Sequence, residues 1–260
     1  MSNQPIVSKD QTLQGRVALI TGASRGIGAA TARLFAAHGA HIGVNYHRSE
    51  QAAFQIVKEI EAGGGKALAV QASVDDPQQV AAMVKQVEEE LGPIETLVMN
   101  AAPTKRFVFA PFLDFDWGIF QDMVLGELAG IYFPAQAVAP LMIERKQGNL
   151  IAVSSPLSRM GWPGTLAHAA GKAGVDSIVR TLAVELGPHG IRVNTIAPGA
   201  VSTDSNPMSE EAKQMSVRMT PLRRVAQAED IAGAIYLLAL DEAQFITGSY
   251  TSASGGLQIP

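Results

Sequence analysis

Short apolar runs alternate along this chain with longer segments whose apolar residues recur at helical spacing. Val17-Ala18-Leu19-Ile20 is the first apolar run, and a glycine-rich turn follows it at once. The pattern predicts a helix over 26–38, a strand over 41–45, and a helix over 50–62 that stops in three consecutive glycines. A third strand is expected at 67–70. Asp76 and Pro77 then open a helix running to Leu91, with Asp76 as N-cap and Pro77 in the first helical position. Strands at 96–99, 150–153 and 191–196 are separated by helices at 117–145 and 166–186. A last helix near 229–240 leads to a final strand near 249–252.

Strand and helix alternating in this way predict a parallel sheet covered by helices on both faces, a doubly wound α/β fold. The strands are apolar almost throughout, as burial on both faces requires. One domain over 15–260 accounts for every element, preceded by a flexible polar tail at 1–14. Residues 197–225, rich in Pro, Ser and Met, lack clear periodicity, and the stretch near 200–225 is a candidate substrate lid.

Composition narrows the class. The 260 residues are 47% hydrophobic and 17% charged, a globular balance. A net charge of −4 argues against a nucleic-acid binder that works by neutralising phosphates. With 0 cysteines, disulfides, thiolate catalysis and cysteine-held metals are excluded, and the balance fits a cytoplasmic setting. No histidine spacing suits a metal, and no apolar run approaches the ~18 residues of a membrane span.

Candidate chemistry begins at the turn Thr21-Gly22-Ala23-Ser24-Arg25-Gly26-Ile27-Gly28. Glycines allow a tight turn and close backbone approach, and the helix N-terminus that follows offers free N–H groups to a pyrophosphate. A strand before, a helix after and a second strand about 20 residues on are the context that mechanism needs. The second strand ends in Asn45-Tyr46-His47-Arg48, with no acid for a ribose 2′-hydroxyl. Arg25 and Arg48 place two cations there instead, which favours NADP(H) over NAD(H).

The spelling TGASRGIG and the motifs behind it resemble the short-chain dehydrogenase/reductase family over residues 13–258. Asn100-Ala101-Ala102 follows strand four, Ser154-Ser155 follows strand five, and Lys172 lies on the next helix. Ile191-Arg192-Val193-Asn194, Pro198-Gly199, Thr203, Ile246-Thr247-Gly248 and Gly255-Gly256 continue the series. By pattern the chain looks like 3-oxoacyl-carrier-protein reductases and related ketoreductases. The resemblance implies a Rossmann fold, hydride transfer between NADP(H) and a carbonyl, and a homotetramer or dimer. Its cofactor-binding positions fall on Gly22, Ser24, Arg25, Gly26, Ile27, Gly28, Asn45, Arg48, Ser73, Val74, Asn100, Ala101, Ala102, Lys172, Pro198, Gly199, Val201 and Thr203. The substrate implied is a small-molecule ketone, an acyl thioester or polyketide-like compound, carried on a carrier protein or free.

The family's catalytic set is Asn, Ser, Tyr and Lys, and this chain departs from it. Ser155 matches the serine that hydrogen-bonds the carbonyl, and Lys172 matches the lysine that binds the nicotinamide ribose and stabilises the ionised tyrosine. The tyrosine's place holds His168, and the asparagine's place holds Glu127. At the adenine end the usual Asp-Val is Ser73-Val74, and the usual Asn-Asn-Ala-Gly is Met99-Asn100-Ala101-Ala102. His168 and Lys172 share one helix face at i, i+4. The acidic form of histidine is a cation, which a neighbouring Lys⁺ opposes, and a carboxylate at Glu127 relieves that pressure by pairing with Lys172 or by supporting the imidazolium directly. Three readings stay open: a reductase with His168 in the proton-donor position; different acid/base or enone chemistry by a His168–Glu127 pair; and a catalytically inactive subunit of the same fold.

Outside this set, Phe112, Phe115, Trp117 and Phe120 are expected in the core or on a dimer face. Met160 and Trp162 are candidates to line the substrate pocket. Met208, Met215 and Met219 fall in the candidate lid, and Lys105-Arg106 reads as a surface pair.

Overall fold

A computed structural model describes residues 12–102, 107–203 and 207–259. Seven parallel strands form one sheet in the order β3-β2-β1-β4-β5-β6-β7. They are β1 (Val17–Ile20), β2 (His41–Tyr46), β3 (Lys66–Gln71), β4 (Ile94–Met99), β5 (Gly148–Val153), β6 (Ile191–Pro198) and β7 (Tyr250–Ala253). Seven helices connect or flank them: α1 (Gly26–Ala37), α2 (Glu50–Ala62), α3 (Pro77–Glu90), α4 (Trp117–Arg145), α5 (Leu166–Leu186), α6 (Glu210–Met219) and α7 (Ala228–Ala239).

The side-chain alternation of β1 divides the core in two. Val17 and Leu19 join a cluster with Met83 of α3, Ile131 of α4 and Val175 of α5. Ala18 and Ile20 face the other way, into a cluster with Phe35 of α1, Ile56 of α2 and Ile235 of α7. Covering both faces is what makes every residue of β1 buried. β2 begins beside β1 at Val17↔His41, and β4 lies on the other side of β1. The strand order therefore reverses between β1 and β4, and a crevice opens beyond their C-terminal ends.

Helix α4 spans 29 residues and is, among the described residues, the one helix long and apolar enough by composition to cross a membrane. Here it packs in the body of the fold, with Ile131, Val138 and Met142 in the core cluster. Asp76 caps α3 as expected, accepting from the backbone N–H groups of Gln78 and Gln79.

One expectation needs correction. The flexible tail does not extend to residue 14: Leu13 is 2% exposed in the core, and its N–H bonds the carbonyl of His38. The stretch near 200–225 contains a regular helix, α6, capped by Ser209, with no buried residue. Of the aromatic group before and within α4, expected in the core or on a dimer face, Phe112 is 73% and Trp117 66% exposed, and Trp117 stacks on Phe120. Lys105 and Arg106 lie outside the described residues.

Leu19 is fully buried on the central strand. Leu19→Ala should lower the unfolding free energy by about 2–5 kcal/mol, measured by urea titration. A loss below about 1 kcal/mol would mean that the sheet and α3 close over the gap.

Candidate active site

The glycine-rich turn is held from two sides before any ligand is considered. Gly22 and Gly26 both have positive φ, +64° and +55°. Asn45, 1% exposed, accepts the Gly22 N–H through its Oδ1 at 3.1 Å and donates its amide to the carbonyl of Ala72 at 3.1 Å. From the other side Asn100 donates its amide to the carbonyls of Thr21 and Gly22 at 3.0 and 3.2 Å. A Cβ on Gly28 would stand 2.5 Å from the Gly22 carbonyl, so α1 can approach the turn this closely only with glycine there. Arg25 precedes α1 with no side-chain cap on the helix end. The first N–H groups of α1 thus face the crevice as an anion site.

These elements wall a cleft of about 1000 Å³ at the β1/β4 crevice. Gly22, Ser24, Arg25, Gly26, Ile27, Asn45, Arg48, Ser73, Val74, Asn100, Ala101, Ala102, Val201 and Thr203 all line it. Gly28, Lys172, Pro198 and Gly199 do not line this cleft. Gly28 acts behind it, and Gly199 packs where a Cβ would meet the Ser254 backbone at 2.9 Å. Asn45 and Asn100 touch the cleft mainly as its frame.

At the far end Arg25 and Arg48 stand on the rim, with the Arg25 guanidinium bonded to the Ser49 hydroxyl. The lining also holds residues that the motif spacing did not assign to it: His47, Asp75, Asp76 and Gln79. Ser73 donates its hydroxyl to the Asp75 carboxylate, and its N–H bonds the Gln79 side-chain oxygen at 3.0 Å. An acid is therefore present in this lining two positions after Ser73. The cleft's size, glycine cradle and open helix end fit a dinucleotide.

Further along the C-terminal edge of the sheet, α4 and α5 bring Glu127, His168 and Lys172 together beside the end of β5, which Ser155 follows. Ser155 follows β5 and accepts the Leu157 N–H at 3.2 Å, which leaves its O–H as a donor. Its backbone is tied from behind: the Tyr250 hydroxyl donates to the Ser155 carbonyl at 3.2 Å, and the Arg159 guanidinium lies 3.6 Å over the Tyr250 ring. Asp176, 4% exposed, sits 3.6 Å from the Arg159 Nε. The sequence motifs gave no hint of this support.

Glu127 reaches in from α4 and is 2% exposed. One carboxylate oxygen lies 3.0 Å from His168 Nδ1, and the other lies 2.8 Å from Lys172 Nζ. Lys172 also donates to the Val153 carbonyl at 2.8 Å, so α5 is pinned to both α4 and β5. Burial pushes the Glu127 carboxyl upward, but the Lys172 ammonium and the His168 ring outweigh it and hold Glu127 below the usual carboxylate range. An ionised carboxylate only accepts, so the proton on the imidazole resides on Nδ1. In the neutral ring Nε2 is then bare and faces away from Glu127. The rings of Phe107 and Phe109 stand edge-on to His168, at 5.6 and 6.4 Å. The Ala110 N–H bonds the Gly164 carbonyl at 3.1 Å, fastening this aromatic segment to the loop that carries Trp162, itself 43% exposed.

Gly171 is the residue that makes room for the carboxylate. A Cβ there would stand 2.9 Å from both Cβ and Cγ of Glu127. The signal was available, because an isolated glycine inside a helical pattern costs ~1 kcal/mol and asks for a packing reason.

The chain is similar to known proteins in sequence and in fold. A family model described as Enoyl-(Acyl carrier protein) reductase matches residues 22–258. The chain is similar to the 3-oxoacyl-[acyl-carrier-protein] reductase of Synechocystis sp., 39% identical over 247 residues, 94% of this chain and 98% of the relative. Among solved structures it is similar to a 7α-hydroxysteroid dehydrogenase in complex with NADH and 7-oxo glycochenodeoxycholic acid. That match has a TM-score of 0.88 and 32% identity, and covers 95% of this chain and 96% of the other. A short-chain dehydrogenase from Burkholderia cenocepacia in complex with NADP matches with a TM-score of 0.85 and 31% identity over 95% and 99% of the two chains.

The unfolded reference for Glu127 is about 4.5, and its folded value lies below that. Its ionised form therefore adds stability that is complete above that reference and is lost as pH falls through the folded value. Glu127→Gln should cost about 3–5 kcal/mol at neutral pH, as for breaking one side of a buried pair. The gap between the two proteins should narrow as pH drops below 4.5. Urea midpoints across that range test it, and a gap that does not change with pH overturns the assignment of an ionised Glu127.

Proposed function

The chain belongs to the short-chain dehydrogenase/reductase family of NAD(P)-dependent oxidoreductases, and we propose that it is an NADP(H)-dependent ketone reductase in which His168 is the proton donor. The observation that carries this reading is the carboxylate of Glu127 shared between His168 and Lys172. A tyrosine donor starts neutral and ends as an anion. Beside Lys⁺ the family's pair runs from a net charge of +1 to 0 as the proton leaves. A histidine donor starts as a cation and ends neutral, so beside Lys⁺ alone it would run from +2 to +1. The Glu127 carboxylate removes one unit at both ends of that path. The charge course of the proton transfer is thereby the same as with tyrosine, although no residue but Lys172 and Ser155 is shared. Two substitutions that each look disabling compensate one another.

The cofactor supplies hydride when bound in the β1/β4 cleft. The Ser155 hydroxyl donates to the substrate carbonyl and fixes its oxygen. The Nε2–H of imidazolium His168 delivers the proton to that oxygen as negative charge develops, while Glu127 holds the ring's orientation and supports its cationic form. Lys172, already held by Glu127 and the Val153 carbonyl, keeps its remaining N–H for the nicotinamide ribose. The arginines on the rim support a 2′-phosphate, and the similarity to 3-oxoacyl-carrier-protein reductases supports an acyl thioester or polyketide-like ketone as substrate.

Nicotinamide fluorescence titration should show NADPH binding at least tenfold tighter than NADH. Arg48→Ala should weaken NADPH alone by about 10- to 100-fold, the worth of a charge-assisted hydrogen bond. Equal affinities would remove the 2′-phosphate reading. The charge argument has its own test in steady-state kcat on a β-ketoacyl thioester. His168→Ala should lower kcat about 10²- to 10⁴-fold. The double variant His168→Tyr/Glu127→Asn should be more active than either single change. A double variant no better than the worse single variant would refute compensation.

A further inference from the structure

Glu127 decides which nitrogen of His168 carries a proton, and this has a second chemical consequence. Its carboxylate is ionised, buried and 3.0 Å from Nδ1, so the neutral ring always leaves Nε2 as a lone pair directed away from α4. A phenol in this position rests as an acid. The carboxylate-held imidazole, in its neutral form, is a base at Nε2. The ring is 15% exposed, enough for Nε2 to exchange its proton with solvent. Among the described residues, the charged groups set against it are Glu127 from α4 and, through Glu127, Lys172 from its own helix. The other rings around it, Phe107 and Phe109, carry no charge and offer no competing proton.

From this geometry we infer that the protein has a second activity, reversible enolisation of its ketone, in which His168 Nε2 removes a proton from the carbon next to the carbonyl without any hydride transfer. The inference rests on the placement of His168 beside the substrate carbonyl proposed above. The α C–H bond breaks and the proton bonds to Nε2. The C–H electron pair becomes the new C=C bond, and the carbonyl π pair moves to oxygen, where the Ser155 hydroxyl donates to it. Glu127 balances the imidazolium that forms. Return of a proton to the same carbon restores the ketone, with nothing oxidised or reduced. The α-carbon is bonded directly to the carbonyl carbon, so the group that reaches the oxygen in reduction is adjacent to the C–H bond in enolisation.

The two activities use opposite protonation states of one ring. Reduction needs imidazolium and should decline as pH rises. Enolisation needs the neutral ring and should rise with pH. No single change of folding or cofactor affinity moves two rates in opposite directions.

The experiment places the protein, saturated with NADP⁺ so that no hydride is available, in D₂O with a panel of aryl alkyl ketones and 2-substituted β-ketoacyl thioesters. Proton NMR follows loss of the α-proton signal. Parallel samples in H₂O with NADPH follow cofactor oxidation on the same ketones. Deuterium should enter at least tenfold faster than in buffer of the same pD. His168→Ala should abolish the excess. His168→Tyr/Glu127→Asn should also lose the excess exchange, because a neutral phenol has no basic nitrogen to take the proton. If no ketone exchanges above the buffer rate, enolisation is overturned, whether or not NADPH is oxidised. NADPH oxidation without exchange leaves the reductase standing and removes only the second activity. Exchange without NADPH oxidation sustains enolisation and removes the reductase. Exchange that survives in His168→Ala assigns the base to another group and also overturns the inference.

Discussion

A carboxylate that is 2% exposed must be neutralised where it lies, and the centre of this molecule is arranged around that requirement. Taking Glu127 out of water costs several kcal/mol, which is recovered only with close, well-directed partners. Lys172 and His168 supply them, one to each carboxylate oxygen. Both partners come from α5, one helical turn apart, so the pairing fixes the rotation of α5 against α4. Lys172 then reaches the carbonyl of Val153 and ties the same helix to the end of β5. The strand end that carries Ser155 is thus located by the same ion pair that orients the imidazole. Position, protonation and burial are one problem here with one solution.

The cleft follows a different rule. Its frame is made by neutral amides: Asn45 and Asn100 hold the glycine turn from either side with hydrogen bonds to backbone. Arg25 and Arg48 are exposed on the rim and take no part in that frame. Charge is kept away from the parts that must be rigid and placed where solvent can accommodate it when the cleft is empty.

Most of the architecture was legible because burial on both faces leaves an unmistakable pattern. The strands read as unbroken apolar runs, and α4 and α5 have the bounds that their periodicity predicts. What escaped had weaker cues. Helix α6 buries nothing, and its short stripe of Ala212, Met215 and Met219 lies in a segment rich in Pro and Ser. Leu13 is a single apolar residue in a polar segment, and only the fold shows the gap it fills. At the site, Ser155, Glu127, His168 and Lys172 were picked out by the resemblance to the family's motifs, including the two positions that depart from it. Their pairing was open between Lys172 and His168 as partner of Glu127, and the structure has both at once, one on each carboxylate oxygen. The lining formed by Asp75 and Gln79 and the support from Tyr250 and Arg159 were hidden because they act through tertiary neighbours, outside the motifs.

The close approach of Gly171 to Glu127 makes the seam between α4 and α5 intolerant of bulk. A Cβ at 171 would stand 2.9 Å from both Cβ and Cγ of Glu127. Any side chain there would press the two helices apart and draw the carboxylate away from Lys172 and His168 together. The residue with no side chain thus sets the spacing on which the buried charges depend.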